Sequence, residues 1–329
     1  MTYARTAQLV KIARLYYLEG MNQRDIAAKM RTSVAGVSRS IAKARELGIV
    51  KITVDAPAHG ISELEISIER RFGLAECLLV ESSPTLEVMY AEMASRLSEH
   101  LDRTLTGESN VGVSWGQTLQ TIGDNLESAV AQCKSVIPMV GAVGRIETGM
   151  YPNSIARQFA EKLNGAGHLV NVPGVVDSDE TRKSLLADGS FAPVAAIWNE
   201  LDVALFSVSG LTSGASVRDL HVVPDEILDA AASDGATLVA NFRFFDQEGA
   251  RVHTTVDRRI IAIEPERLMA VPHRIIVAAG SEKTNAVRGA LRARLCNVLV
   301  SDRETARALL QSEQTGSPIN WPGVTEGVL

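Results

Sequence analysis

Residues 22–51 read NQRDIAAKMRTSVAGVSRSIAKARELGIVK, and this stretch decides how the chain begins. It has the form of two helices joined by a sharp turn. Asn22 stands where a side-chain oxygen caps a helix, with Ile26, Ala27 and Met30 on its inner face. Ser33 stands at a second cap, ahead of a stripe formed by Val37, Ile41 and Ala44. Upstream, Ala13, Tyr16 and Tyr17 fall at helical spacing on a first helix over residues 6–19, which Gly20 ends. Ala27 has to be small because the helices cross closely there. Away from the buried stripe the third helix presents Val34, Ala35, Ser38, Arg39, Lys43 and Arg45. A helix carried in this way is suited to the DNA major groove. Arg39 can fork onto a guanine edge or a phosphate, and Ser38 can reach either kind of acceptor. The expected DNA contacts are Arg31, Ser33, Val34, Ala35, Ser38, Arg39 and Lys43. Arg31 occupies a turn position that favours glycine, so strained backbone is expected there. Gly36 costs about 1 kcal/mol against alanine inside a helix; it either admits close approach to DNA or is a tolerated weakness. Residues 49–54 alternate like a strand, as one arm of a small wing.

Charge separates this head from the rest. Residues 1–55 hold ten Lys or Arg against four acids, a net +6, whereas the whole chain of 329 residues carries −6, leaving −12 on the remainder. A basic head on an acidic body suits a module that meets phosphate while its partner domain does not. The bland alternative is a three-helix bundle with a solvated basic face.

Length allows two cores, and composition is that of a soluble globular protein. No apolar stretch approaches the roughly 20 residues of a membrane span, and Arg5 and Lys11 interrupt any signal-peptide pattern. Cys77, Cys133 and Cys296 stand far apart in apolar contexts and read as buried thiols in a reducing cytoplasm. The six histidines form no metal-ligand pattern, so neither a metal nor a cofactor is expected.

From residue 61 onward, short apolar runs alternate with helical periodicity. The expected strands include 77–80, 110–114, 136–140, 169–172, 202–208, 260–263, 275–279 and 298–300. The expected helices include 86–101, 118–130, 154–163, 225–232, 286–293 and 304–310. This pattern means a mainly parallel α/β sheet covered on both faces. The domain plan is a helix-turn-helix unit at 1–55 and a linker at 56–60. An effector and oligomerisation domain follows at 61–312, then a loosely ordered tail at 313–329.

In such sheets ligands lie beyond the carboxyl ends of the strands. Gly112-Val-Ser-Trp-Gly-Gln-Thr118 is a strand end, a glycine turn and a helix start. Its backbone amides, with the Ser114 and Thr118 hydroxyls, can cradle a phosphate. It lacks the lysine of a Walker loop, and a tight structural turn is the alternative. Trp115 either stacks on a ligand or fills a subunit contact. Ala278-Ala-Gly-Ser-Glu-Lys283 follows another apolar strand, with Lys283 either a phosphate counter-charge or a solvated helix-surface lysine. Asp246, after Phe244 and Phe245, either accepts bonds from sugar hydroxyls or forms a turn before Gly249. Gly141-Ala-Val-Gly144 is a fourth loop of this type, and Asn153 beyond it is a cap, a ligand contact or both.

Taken together, LGIVKI, GVSWGQTL, PMVGAVG, FFDQEG, AAGSEKTNAVRGAL and NVLVSDRETARALL resemble, in order and spacing, the SorC family of bacterial sugar-responsive transcription regulators. The resemblance runs from about residue 9 to residue 310. It implies a winged-helix-like head and an effector domain similar in fold to phosphosugar isomerases. It also implies a tetramer on double-stranded operator DNA, with a phosphorylated sugar or sugar alcohol as effector. By that resemblance Gly112, Ser114, Trp115, Gly116, Gln117 and Thr118 hold ligand, Asp246 binds hydroxyls and Lys283 contacts phosphate. Leu238 and Val239 stand where the family usually has a glycine–aspartate pair, Ser207-Val-Ser-Gly210 where it often has a glycine-rich turn, and Ala279-Gly280 where it has a double glycine; this changed rim leaves open an unusual effector, a sugar alcohol or an unphosphorylated sugar, so the resemblance supports a regulator more firmly than a phosphate. The alternative is a sugar-phosphate isomerase or deaminase with an added DNA-binding head, but no acid–base pair is evident near these loops.

If the third helix reads DNA as expected, Arg39→Ala abolishes specific binding while fold and effector affinity persist. A gel-shift titration with operator DNA checks this; operator affinity equal to the parent's would refute the choice of helix.

Overall fold

In a computed structural model of the chain, residues 3–50, 60–128, 132–142, 151–211, 218 and 224–313 are described. The chain divides into two compact units, Met1–Pro57 and Ala58–Leu329.

The first unit contains α1 (Tyr3–Tyr17), α2 (Gln23–Lys29) and α3 (Val34–Glu46). The Asn22 side chain accepts the Asp25 N–H at 2.9 Å, and Ser33 Oγ accepts the Gly36 N–H at 3.0 Å, so both caps sit where the sequence places them. Arg31 closes the turn between them at φ +50°, the strained conformation expected of a non-glycine residue there. Ile12, Leu15, Ile26, Ala27, Val37 and Ile41 make the core. Tyr16 and Tyr17, expected as core, are half-buried at its rim and meet edge to face with ring centroids 5.0 Å apart. Gly36 has a local explanation that neither earlier reading anticipated. A Cβ there would stand 2.8 Å from Thr32 Oγ1 and 3.2 Å from Ser33 Oγ, so glycine leaves room for the capping hydroxyl. The expected wing strand is not seen in Ile49 and Val50, which form a bend; residues 51–54 lie outside the described residues.

The second unit is built on a parallel sheet. Its strands are β1 (Glu76–Val80), β2 (Asn110–Val113), β3 (Ser135–Pro138), β4 (Ala166–Gly167), β5 (Val203–Phe206), β10 (His273–Val277) and β11 (Val298–Asp302). They are ordered β1-β11-β10-β5-β2-β3-β4, and every pairing is parallel. Alternate residues of each strand feed two separate cores. Val111, Val113, Val203, Leu205, Ile275 and Val277 face α5 (Leu86–Thr104), α6 (Gln117–Asn125) and α7 (Pro152–Lys162). Ala204, Phe206, Ile276 and Leu299 face α4 (Ile61–Phe72), α12 (Thr284–Arg292) and α13 (Arg303–Glu313). Burial on both faces is why these strands read as unbroken apolar runs. Helices α8 (Asp179–Ala187), α9 (Ala192–Asn199), α10 (Asp225–Ser233) and α11 (Pro265–Ala270) complete the unit.

A second, antiparallel sheet departs from the sequence reading. Its strands are β6 (Ser209–Gly210), β7 (Leu238–Ala240), β8 (Arg243–Phe245) and β9 (Arg251–Val252). The stretch 260–263, expected as a strand, makes only isolated bridges at Ile260 and Ala262. Helix α6 ends at Asn125, earlier than expected, and the strand expected at 169–172 is instead the two-residue β4. The tail from residue 314 lies outside the described residues.

The head rests on a small core, so it tolerates little loss. Ile26 is fully buried. Ile26→Ala should cost about 2–5 kcal/mol and abolish DNA binding. Circular dichroism and gel shift together check it, and a head that binds with parent affinity would contradict the packing described.

Candidate functional site

Strand order reverses its direction of growth between β2 and β5. From β2 the sheet extends through β3 to β4, and from β5 it extends through β10 towards β1. The loops leaving these strands diverge there and leave a crevice at the carboxyl edge. A small cleft of about 50 Å³ occupies this place. After β2 it is walled by the 114–118 loop, after β5 by the 207–209 segment, and after β10 by Lys283. The fourth wall is Val239, Asn241 and Phe242, from the tip of the β7–β8 hairpin.

The 114–118 loop turns on Gly116, whose φ of +116° suits glycine, and α6 starts at the next residue. The free N–H groups of that first turn, with the helix dipole, favour a negative charge. Lys283 reaches the same place from the other side. Its ammonium donates to Thr118 Oγ1 at 2.6 Å, and the residue is only 8% exposed, which rules out the solvated reading. Burial pulls its pKa down to about 8, partly offset by the Glu282 carboxylate. Among the described residues that line the cleft, Lys283 is the sole charged group.

The Lys283 loop is held from beneath by Asp302, at the end of β11. Its carboxylate accepts from the Gly280 N–H at 3.0 Å, from Ser82 Oγ at 2.7 Å, and from the Glu304 and Thr305 N–H groups and the Thr305 hydroxyl. Burial pushes the Asp302 pKa up, but these hydrogen bonds outweigh it and the net displacement is downward.

The hairpin tip is unusual. Asn241 and Phe242 alone join β7 to β8, at φ +46° and +61°. A two-residue hairpin loop with both φ values positive normally has glycine second. Here a phenylalanine takes that strain. It is 1% exposed and stacks on Trp115, with centroids 5.3 Å apart and planes 23° from parallel. Asn241 is 5% exposed, and among the described residues neither its amide nitrogen nor its oxygen has a hydrogen-bond partner; the same holds for the buried Ser207 hydroxyl. Each such group costs on the order of 1–3 kcal/mol when left unsatisfied.

Of the residues singled out in the sequence, Ser114, Trp115, Gly116, Gln117, Thr118 and Lys283 come together in the cleft. Four others do not line it. Gly112 lies within β2, where a Cβ would stand 2.7 Å from Met139 and Leu201 carbons, so its smallness serves packing. Gly141 is pressed against the Val172 and Pro173 carbonyls, 2.6 Å from where its Cβ would be; residues 143 and 144 of that loop lie outside the described residues. Asn153 pins Val170, donating to its carbonyl and accepting its N–H at 2.9 Å. Asp246 sits in the β8–β9 turn and accepts the Ala250 N–H at 2.8 Å, the turn-forming alternative. Asn241 and Phe242 carry no local signal, because an Asn-Phe turn lacks the glycine that marks such hairpins, and Ser207 stands out in the sequence only as part of Ser207-Val-Ser-Gly210, where the SorC family often has a glycine-rich turn.

On the DNA side, Arg31, Ser33, Val34, Ala35, Ser38 and Arg39 are exposed. Lys43 is half-buried and pairs with Glu46 at 2.5 Å, which reduces the charge it presents.

The protein family described as "Putative sugar-binding domain" matches residues 56–311. The sorbitol operon regulator of Klebsiella pneumoniae is 30% identical over 312 residues, covering 92% of this chain and 97% of that protein. The chain belongs to the SorC family of sugar-responsive transcription regulators. The crystal structure of the full-length Klebsiella regulator superimposes with a TM-score of 0.71 at 28% identity, covering 93% of this chain and 98% of that one. The deoxyribonucleoside regulator of Bacillus subtilis is 28% identical over 92% of this chain and 96% of its own length. The erythritol catabolism regulatory protein of Brucella abortus is 24% identical over 94% and 98%. This SorC-family member is thus a DNA-binding transcription regulator with a sugar-binding domain, and the crevice lies in that domain.

Asp302 has a depressed folded pKa, so its stabilising contribution is full above the unfolded value of about 3.9 and is lost as acid protonates the folded carboxylate. Asp302→Asn should therefore destabilise the second unit at neutral pH and flatten the fall in stability between about pH 5 and 3. Urea melts across that range check it; parallel curves for parent and variant would refute the role given to Asp302.

Proposed function

We propose that the effector is a polyhydroxylated carbon chain with a terminal phosphate, and that it occupies the cleft at the β2–β5 switch point. One observation carries this reading. A buried lysine and a helix N-terminus converge on Thr118 with no acidic group among the described cleft residues. A phosphate there gains a cation and backbone donors together, which is costly to leave empty and favourable to fill. The stacked Trp115 and Phe242 offer an apolar wall to the C–H face of the carbon chain. The names of three relatives, a sorbitol operon regulator, an erythritol catabolism regulatory protein and a deoxyribonucleoside regulator, point to polyol and sugar metabolism, which supports the hydroxylated part of this ligand.

In this reading the cleft binds and does not turn over its ligand, since no carboxylate or histidine stands among the described lining residues to act as general base. Ser114, Gly116, Gln117, Thr118 and Lys283 hold the phosphate end. Arg31, Ser33, Val34, Ala35, Ser38 and Arg39 face the duplex, with Lys43 beside them. The chain works in the cytoplasm as a homotetramer whose heads bind half-sites about 10 base pairs apart, or multiples of that. It controls a carbohydrate catabolic operon.

Calorimetric titration with four- to six-carbon sugar and polyol phosphates tests the reading. Only the ammonium form of Lys283 attracts phosphate, and burial draws its pKa down to about 8. Affinity should fall roughly tenfold from pH 7 to pH 9, while the ester stays a dianion. Lys283→Met should bind more weakly, lose that pH slope, and bind operator DNA as the parent does. Phosphate esters that bind parent and variant equally would sink the assignment.

A further inference from the structure

We propose that Asn241, with Ser207, forms a hydroxyl-reading subsite that makes the cleft discriminate polyhydroxylated ligands from their deoxy counterparts. The inference rests on the reading of the cleft as the effector site and goes beyond it, because it names the part that sets specificity.

Three observations meet at Asn241. The residue is 5% exposed and lines the cleft, and among the described residues its carboxamide has neither a donor partner for its oxygen nor an acceptor for its nitrogen. Buried amides are almost always satisfied, so an amide free at both ends marks a place kept for another molecule. The residue sits at φ +46° in a turn whose second position is a phenylalanine at +61°. Strain of that kind persists where surrounding structure holds it in place, and it concentrates at ligand sites. The third observation is the Ser207 hydroxyl across the same cleft, also buried and without a partner among the described residues.

The chemistry of the empty partners defines the ligand group. The amide offers one acceptor oxygen and two N–H donors, and the serine can donate or accept. Adjacent hydroxyls on a carbon chain each donate and accept, so a vicinal diol satisfies both ends of the amide. A phosphate, which only accepts when dianionic, leaves the amide oxygen unpaired. A methylene leaves both ends unpaired. Lys283 and the start of α6 therefore take the anionic end, and the hairpin tip reads the hydroxyls.

The test uses the full-length chain and matched pairs: ribose 5-phosphate with 2-deoxyribose 5-phosphate, and glucose 6-phosphate with its 2-deoxy, 3-deoxy and 4-deoxy analogues. The parent should prefer the hydroxylated member of at least one pair by tenfold or more, as sites that pair with a ligand hydroxyl do. Asn241→Leu, which keeps volume without polarity, should shrink that preference to within about twofold, as expected when the amide partner is lost. Asn241→Gly removes the amide while easing the left-handed backbone, and should do the same even if Asn241→Leu fails to fold. A parent with no preference in any pair overturns the inference, as does a preference retained by Asn241→Gly. If the parent binds no phosphorylated sugar at all, the reading of the cleft falls and the subsite falls with it. If it binds them without regard to Asn241, the reading stands and only the subsite is wrong.

Discussion

The bond from the Lys283 ammonium to the Thr118 hydroxyl holds the crevice together. Lys283 follows β10 and Thr118 stands on α6 after β2, while β5 lies between those two strands. The bond therefore spans the end of β5, where the sheet reverses its order. Parallel pairing ends at that edge, so nothing in the ladder joins the two loops. A side chain must do so. Lysine is a costly choice, because burial disfavours its charged form and draws its pKa to about 8. Asp302 supports the arrangement by fixing the Gly280 N–H and the Ser82 hydroxyl from the neighbouring strand ends.

The antiparallel hairpin is the second constraint. It brings Phe242 over Trp115, so one strained turn provides the apolar wall and positions the Asn241 amide. Arg243 secures its base. It is buried and pairs with Glu264 at 3.1 Å and Asp257 at 3.5 Å. Burial lowers the Arg243 pKa, while Glu264 and Asp257 pull it back up. Removing one partner of such a buried network generally costs more than the network gains over an apolar core. Its presence here fits a role in placing the hairpin.

Much of this was legible in the sequence where local chemistry decides the outcome. Asn22 and Ser33 cap their helices because a short polar side chain can reach the third N–H. The central strands were legible from runs such as Val203 to Phe206, which are buried on both faces. Of the ten expected effector residues, Ser114 to Thr118 meet in the cleft because a strand end, a glycine and a helix start stay adjacent in the chain, and Lys283 joins them from the loop after β10. Asp246 and Asn153 were harder, since each spends its side chain on a backbone partner that only the tertiary fold supplies. Gly112 and Gly141 looked like ligand-loop glycines, but their neighbours come from residues 27 to 89 positions away. Asn241 was illegible for a different reason. Its turn breaks the usual hairpin rule, and broken local rules are where function leaves the weakest sequence signal.

Among the described residues the buried polar atoms of Asn241 and Ser207 have no hydrogen-bond partner, and Lys283 is buried against Thr118. In the proposed reading a fitting ligand relieves these costs, but relief alone does not regulate. An effector changes DNA binding only through the difference in its affinity for two arrangements of the protein. A group that a ligand satisfies equally in both arrangements adds affinity and no control. Control has to come from groups whose distance to the ligand differs between the two arrangements. Lys283 follows β10 of the parallel sheet and Asn241 lies at the tip of the antiparallel hairpin, so in the proposed reading a single molecule that touches both is sensitive to their spacing. Linkage then requires that DNA binding alter affinity for the effector by the same factor, which ties the two compact units in one free energy.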